Sequence, residues 1–154
     1  MVEALTDPTG CLRNRRVLVV EDDFLIGDAL SELLQGVGAD VIGPIGWAAE
    51  ALAMANQPNL AIDIALLDVD LHGVRSYPIA DALIGRAIPF VFTTGYHCDI
   101  VEARYRGYPR YEKPLSGRAL VATLASMLDE RSSAALPRTL PRPGSSPGST
   151  ATTD

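Results

Sequence analysis

Short apolar runs rich in β-branched residues recur along the chain, and helix-like segments separate them. VLVV (17–20), VIGPI (41–45), IDIALL (62–67) and PFVFT (89–93) have the length and composition of buried strands, and RYE (110–112) is a shorter fifth. The intervening segments carry a different period. Residues 24–35 place Leu25, Ala29 and Leu33, and also Ile26, Leu30 and Leu34, at helical spacing, and Gly36 and Gly38 end the pattern. The Ala-rich stretch 48–56 is helical up to Gln57-Pro58. Residues 77–86 tolerate Pro78 in a first helical turn. The stretch 98–109 is ambiguous and fits one weak helix, and 117–129 is a final helix. Apolar strands alternating with helices five times predict an α/β fold: a five-stranded parallel sheet with helices on both faces.

The alternation bounds the folded body at residues 15–130. Residues 1–14 show no periodicity and contain Pro8 and Gly10, so they read as a flexible lead-in. Residues 131–154 hold four of the eleven prolines, many Ser, Thr and Gly, and no Ile, Val or aromatic residue. Such a segment cannot bury enough apolar area to offset its ordering entropy and is expected to be disordered. No apolar run approaches the roughly 20 residues that span a bilayer, and the N-terminus lacks the apolar stretch of a signal peptide. The expected location is the cytoplasm, with no membrane contact. A net charge of −6 without a Lys/Arg stripe argues against direct nucleic-acid binding. Cys11 and Cys98 form no disulfide framework and have no metal-type spacing. No Gly-rich phosphate or dinucleotide loop follows a strand.

In a parallel sheet, ligands bind beyond the carboxyl ends of the strands. Glu21, Asp22 and Asp23 follow the first expected strand, Asp68 the third, Thr93-Thr94-Gly95 the fourth and Lys113-Pro114 the fifth. Converging carboxylates repel one another unless a cation intervenes, and Mg²⁺ is often held by one or two carboxylates with water and phosphate. A carboxylate can also be the nucleophile that takes a phosphoryl group, with a hydroxyl and a lysine binding the transferred oxygens. Each piece has a plainer reading. The acid triplet can be a helix cap, Asp68-Val69-Asp70 turn chemistry, and Thr94-Gly95 an ordinary loop. Placement after strands one, three, four and five favours a site.

VLVVEDD, ALLDVDLHG, FTTGY and KP, in this order and spacing, resemble the receiver domain of two-component response regulators over residues 16–129. PFVFTTGY, VIGPIGWAAEAL and SYPIADAL are similar to an alphaproteobacterial single-domain subgroup called FAT GUY. The resemblance implies a flavodoxin-like (βα)5 fold with strand order 2-1-3-4-5. It implies Asp68 as phosphoacceptor, Asp22 and Glu21 as Mg²⁺ ligands, and the Asp70 main-chain carbonyl as a further ligand. Thr94 would be the switch hydroxyl, and Lys113 would pair with the phosphoryl oxygens ahead of a cis bond to Pro114. The phosphate would come from a sensor histidine kinase or a histidine phosphotransfer protein. The protein would not be an enzyme beyond its own phosphorylation and dephosphorylation.

The pattern departs from the family at two places. Arg110 stands where receivers carry an aromatic residue three before the lysine, and Tyr111, one residue on, faces the other side of a regular strand. Tyr96 is therefore the expected aromatic part of the switch. Asp70 adds a second acid near the acceptor. His72 and His97 are expected to face solvent, and Trp47 to pack at the start of the second helix. With only a Pro/Ser/Thr-rich tail after the last helix, output is expected through a protein partner or as a phosphate sink in a relay. Two alternatives compete: a haloacid-dehalogenase-like phosphatase, whose Asp-x-Asp resembles Asp68-Val69-Asp70, and a pseudo-receiver that binds without taking phosphate.

Overall fold

The computed structural model describes residues 12–95, 101–113 and 116–139. The first two apolar runs become β1 (Arg16–Val20) and β2 (Asp40–Ile45). The next becomes β3 (Ile64–Asp68), and β6 (Phe90–Thr94) and β7 (Arg110–Glu112) complete one sheet. Its order is β2-β1-β3-β6-β7 and every pairing is parallel, which is the expected 2-1-3-4-5 topology. Among the described residues four helices pack on it: α1 (Phe24–Gly36), α2 (Ala48–Ala55), α3 (Tyr77–Gly85) and α4 (Gly117–Thr139).

The period of two in each strand divides the core. Val17 and Val19 of β1, with Ile64 and Leu66 of β3, pack with Leu30 and Leu34 of α1 and Leu120 and Leu124 of α4. Leu18 and Val20, with Ala65 and Leu67, face the opposite way, against Ala51 and Ala55 of α2 and Leu83 of α3. Both faces are covered, so the central strands are apolar throughout rather than alternating. From β1 the chain moves outward to β2 and then returns to β3 on the other side of β1. That reversal leaves a crevice at the carboxyl ends of β1 and β3.

The structure differs from the expectations at four places. The expected weak helix over 98–109 is, within the described residues, a single 3₁₀ turn (Ala103–Tyr105). Gly107 and Pro109 oppose a longer helix, and side-chain anchors hold the segment instead. Tyr105 is fully buried, stacks on Tyr77 with ring centres 4.5 Å apart, and donates its hydroxyl to Asp81 Oδ1 at 2.7 Å. Tyr77 Oη accepts from the Glu102 N–H at 2.9 Å.

Second, β4 (Asp70–Leu71) and β5 (Val74–Arg75) form a small antiparallel hairpin that the sequence reading missed. Its two central residues, His72 and Gly73, have φ of 50° and 84°. Positive φ at both positions matches the twist of a two-residue hairpin, but His-Gly is a weaker signal than Asn-Gly. Third, α4 continues to Thr139, so 131–139 are helical rather than part of a loose tail. Ala, Leu and Arg in that stretch favour adding residues to an existing helix, which costs far less than starting one. Fourth, Leu12 belongs to the body. It is fully buried in the α1/α4 layer, and the Asn14 N–H bonds Gly38 O at 2.8 Å. One apolar residue without periodic neighbours leaves no pattern to read. No helix among the described residues is long and apolar enough to cross a membrane.

Leu12→Ala is expected to destabilise the fold by about 2–5 kcal/mol, the usual range for emptying a buried leucine site. Urea unfolding of the full chain measures it; a change under about 0.5 kcal/mol would place Leu12 outside the core.

Candidate functional site

Burial at the crevice begins with β1 and β3, neighbouring strands covered on both faces. Each carries a carboxylate out of its carboxyl end while still inside the protein: Glu21 just after β1 and Asp68 as the last residue of β3. Both are nearly fully buried. Asp22 lies beside them and is partly exposed. One carboxylate oxygen from each of Glu21, Asp22 and Asp68 lies within 4.8 Å of the others.

Lys113, just beyond β7, is the cation that meets this cluster. Its Nζ is 3.0 Å from Asp68 Oδ2 and 2.9 Å from Glu21 Oε1. Burial works against the lysine's charge, but hydrogen bonds to Glu21 and Asp68 outweigh it and hold its pKa above the ordinary value. The Lys113 N–H also bonds Thr94 O at 2.8 Å, which ties the lysine to the end of β6.

One lysine does not neutralise two buried carboxylates. Asp68 is pushed up to about 7, first by burial and then by the neighbouring Glu21 charge, against the pull of Lys113. Asp22 behaves oppositely. Burial pushes it up, but the His72 N–H, the His72 ring and hydrogen bonding with Asp68 hold its pKa below the ordinary carboxylate value. The donor set therefore suits a hard divalent cation: three carboxylates within reach of one ion and an excess of negative charge that the protein leaves uncompensated. Mg²⁺ fits this chemistry: Lys113 contacts both Glu21 and Asp68, and Asp22 is the partly exposed carboxylate of the three that the lysine does not touch.

The remaining expected site residues fall as follows. Asp23 is the cap of α1, its Oδ1 accepting from Leu25 N at 2.9 Å and Ile26 N at 3.1 Å, while its own N–H bonds Glu21 Oε2 at 3.0 Å. The Asp70 N–H donates to Asp68 Oδ1 at 3.2 Å, and the Asp70 side chain is exposed. Thr94 ends β6, with its Oγ1 buried and without a hydrogen-bond partner among the described residues. Tyr111 leans on the α1/α4 layer, its hydroxyl bonded to Ala119 O at 2.9 Å and to Thr123 Oγ1 at 2.8 Å, while Arg110 is exposed. Tyr96 and Pro114 lie outside the described residues.

Two residues read as bystanders in the sequence stand at the site. The His72 N–H donates to Asp22 Oδ2 at 2.8 Å. Trp47, 61% exposed, lies flat on the His72 ring with centres 3.9 Å apart, rather than packing into the protein. Main-chain donors leave no trace in a sequence; the only available signal was an aromatic residue at a helix start, where a capping side chain is usual.

No family model matches the sequence. Among solved structures, SdrG from Sphingomonas melonis Fr1 is 38% identical, with a TM-score of 0.66 over 75% of this chain and 97% of that one. The BeF3-activated conformation of SdrG from Pseudomonas melonis Fr1 is likewise 38% identical, with a TM-score of 0.62 over 73% of this chain and 95% of that one. A response regulator receiver protein from Burkholderia phymatum is 27% identical, with a TM-score of 0.65 over 75% of this chain and 96% of that one. Among curated proteins, the uncharacterized transcriptional regulatory protein YbdJ of Bacillus subtilis (strain 168) is 28% identical over 124 residues, 77% of this chain. The match covers 52% of YbdJ, so the chain spans about half the length of that relative.

The raised pKa of Asp68 has a consequence for stability. An unfolded aspartate ionises near 3.8, whereas Asp68 in the fold holds its proton to about 7. Between those values the folded state binds a proton that the unfolded state does not, so stability falls as pH rises from 4 to 7. Mg²⁺ is expected to raise the melting temperature far more at pH 8 than at pH 5, and Asp68→Asn to flatten the metal-free profile across this window. Thermal melts at both pH values, with and without Mg²⁺, check it; equal Mg²⁺ effects at the two would refute the assignment.

Proposed function

The chain belongs to the response regulator receiver family, and on that premise we propose that it is a phosphorelay regulator that accepts a phosphoryl group on Asp68. The observation that supports this most directly is the Asp68 carboxylate, buried at a strand end, 3.0 Å from the Lys113 amine and within 4.8 Å of the oxygens of Glu21 and Asp22. The donor is a histidine kinase or a histidine phosphotransfer protein. An Asp68 oxygen attacks phosphorus, the bond from phosphorus to the donor's imidazole nitrogen breaks, and that imidazole leaves with its electron pair and takes up a proton. Asp22, Asp68, Glu21 and the Asp70 carbonyl would hold a Mg²⁺ ion, which when bound would neutralise charge on the attacking carboxylate and the transferred oxygens.

The chain's own groups do the positioning. The Asp70 N–H and the Lys113 amine hold the two Asp68 oxygens, so the nucleophile is oriented before the donor arrives. Lys113 can follow the negative charge from the carboxylate to the phosphoryl group with little movement. Thr94 Oγ1 is buried without a partner among the described residues, at a cost of about 1–3 kcal/mol. A phosphoryl oxygen would supply that partner, and this gain biases the Thr94 loop toward a second arrangement. Tyr96, two residues on in the sequence, is assigned the aromatic part of the output, which a downstream protein partner reads in the cytoplasm.

The donor's docking face adjoins the site. Phe24 and Leu25, at the start of α1, are 79% and 76% exposed. Beside them a groove of about 440 Å³ runs along Ile26, Ala29 and Leu33 to Lys113 and Gly117. An exposed apolar pair at the edge of a buried charge cluster suits a helical partner that carries a phosphohistidine to Asp68.

Incubation with Mg²⁺ and a small phosphodonor is expected to give wild type an acid-labile phosphate that Asp68→Ala lacks, and beryllofluoride to change the wild-type spectrum. Absence of both in wild type would refute the reading. Phe24→Asp is expected to slow transfer from the cognate kinase by about tenfold or more, the scale of an interface anchor, while labelling by the small donor is unchanged. Equal rates from the kinase would remove α1 from the docking face.

A further inference from the structure

We propose that the ring stack between Trp47 and His72 is a positioning device for the metal ligand Asp22, an inference that rests on the Mg²⁺ site proposed above. The chain of contacts is short and complete. Trp47 and His72 are stacked at 3.9 Å between ring centres with planes 18° apart. The main-chain N–H of the same His72 donates to Asp22 Oδ2 at 2.8 Å. The His72 ring itself, with Nδ1 4.0 Å from that oxygen, is beyond hydrogen-bond reach, so the main-chain N–H is the group that orients the carboxylate.

Local structure gives way on both sides of this contact. His72 adopts φ of 50°, a conformation that costs a residue with a Cβ, and so aims its N–H back across the crevice from the tip of the β4–β5 hairpin. Trp47 occupies the cap position of α2, where Ser, Thr, Asp or Asn would satisfy a free amide, and its side chain makes no cap hydrogen bond. Gly46 brings the chain into contact with the site: a Cβ there would stand at ordinary contact distance, 3.4 Å from Asp22 Cα and 3.8 Å from His72 Nε2. Two unfavourable local choices that meet at one exposed contact are expected where function rather than folding selects the residues.

The physical effect follows from the hairpin's size. Its two strands are two residues each; Leu71 anchors one of them in the core, whereas Val74 and Arg75 are exposed, so the tip itself has little buried contact beyond the ring stack. The Trp47 ring restrains the tip, the tip restrains the N–H, and the N–H keeps Asp22 turned toward Glu21 and Asp68 rather than toward solvent. Donors that orient a ligating carboxylate in this way are worth about 10–100-fold in metal affinity.

Calorimetric titration of the full chain with Mg²⁺ alone tests the device. The set is wild type, Trp47→Ala, Trp47→Phe, His72→Asn and the Trp47→Ala/His72→Asn double variant, with metal-free melting temperatures alongside. Asparagine tolerates the left-handed backbone and keeps the N–H while deleting the ring. Trp47→Ala and His72→Asn are each expected to weaken Mg²⁺ binding on the order of tenfold. The double variant should be no weaker than either single one, because both remove the same contact. Trp47→Phe should bind like wild type, and metal-free melting temperatures should stay within a few degrees. Unchanged affinities, additive losses, or a loss that follows the melting temperature and is not restored by phenylalanine would each overturn the proposal. Failure of wild type itself to bind Mg²⁺ would overturn the metal site beneath it, an outcome distinct from the others.

Discussion

The contact on which the site depends is a lysine shared between two buried carboxylates. Lys113 Nζ lies about 3 Å from both Glu21 and Asp68, residues 92 and 45 positions away in the chain. Carboxylates at that depth are costly unless paired, and one ammonium group pairs them incompletely. The uncompensated charge is what gives the crevice a chemistry. Burial, and then the Glu21 charge, lifts Asp68 to about 7 against the pull of the lysine. Removing the lysine would leave two carboxylates facing each other with no fixed positive charge between them.

The rest of the fold makes that contact unavoidable. β1 and β3 are adjacent because the chain steps outward to β2 and returns, so Glu21 and Asp68 leave neighbouring strands at the same height. β6 and β7 extend the sheet on the side of β3, and the bond from the Lys113 N–H to Thr94 O sets where the lysine side chain begins. Two apolar layers clamp the central strands from both faces. The orphaned Thr94 hydroxyl is the group at the strand ends with most to gain from a new partner.

Legibility followed the range of the interaction. The five strands could be read because an apolar β-branched run is a local property, whereas their order, β2-β1-β3-β6-β7, came only with the resemblance to receiver domains. Asp23 could be read as a cap because its partners are two and three residues away. The fourth crossover could not be read, since Tyr105 is held by Tyr77 and Asp81 from another helix rather than by its own neighbours. Leu12 was missed for the same reason: its burial depends on α1 and α4 arriving over it. The hairpin at Asp70–Arg75 was hidden behind a His-Gly turn, which has the required backbone freedom without the usual composition.

The sequence by itself determined the alternation of strand and helix, the parallel sheet, and the acids, hydroxyl and lysine at successive strand ends, because each is a pattern within a few residues. The tertiary structure alone decided how those groups share charge. It placed one amine between Glu21 and Asp68, aimed the His72 main-chain N–H at Asp22 from 50 residues away, and set Trp47 over the ring that carries it. Such contacts depend on backbone directions and on surfaces that meet only after the sheet has closed, so no local stretch of residues can encode them on its own.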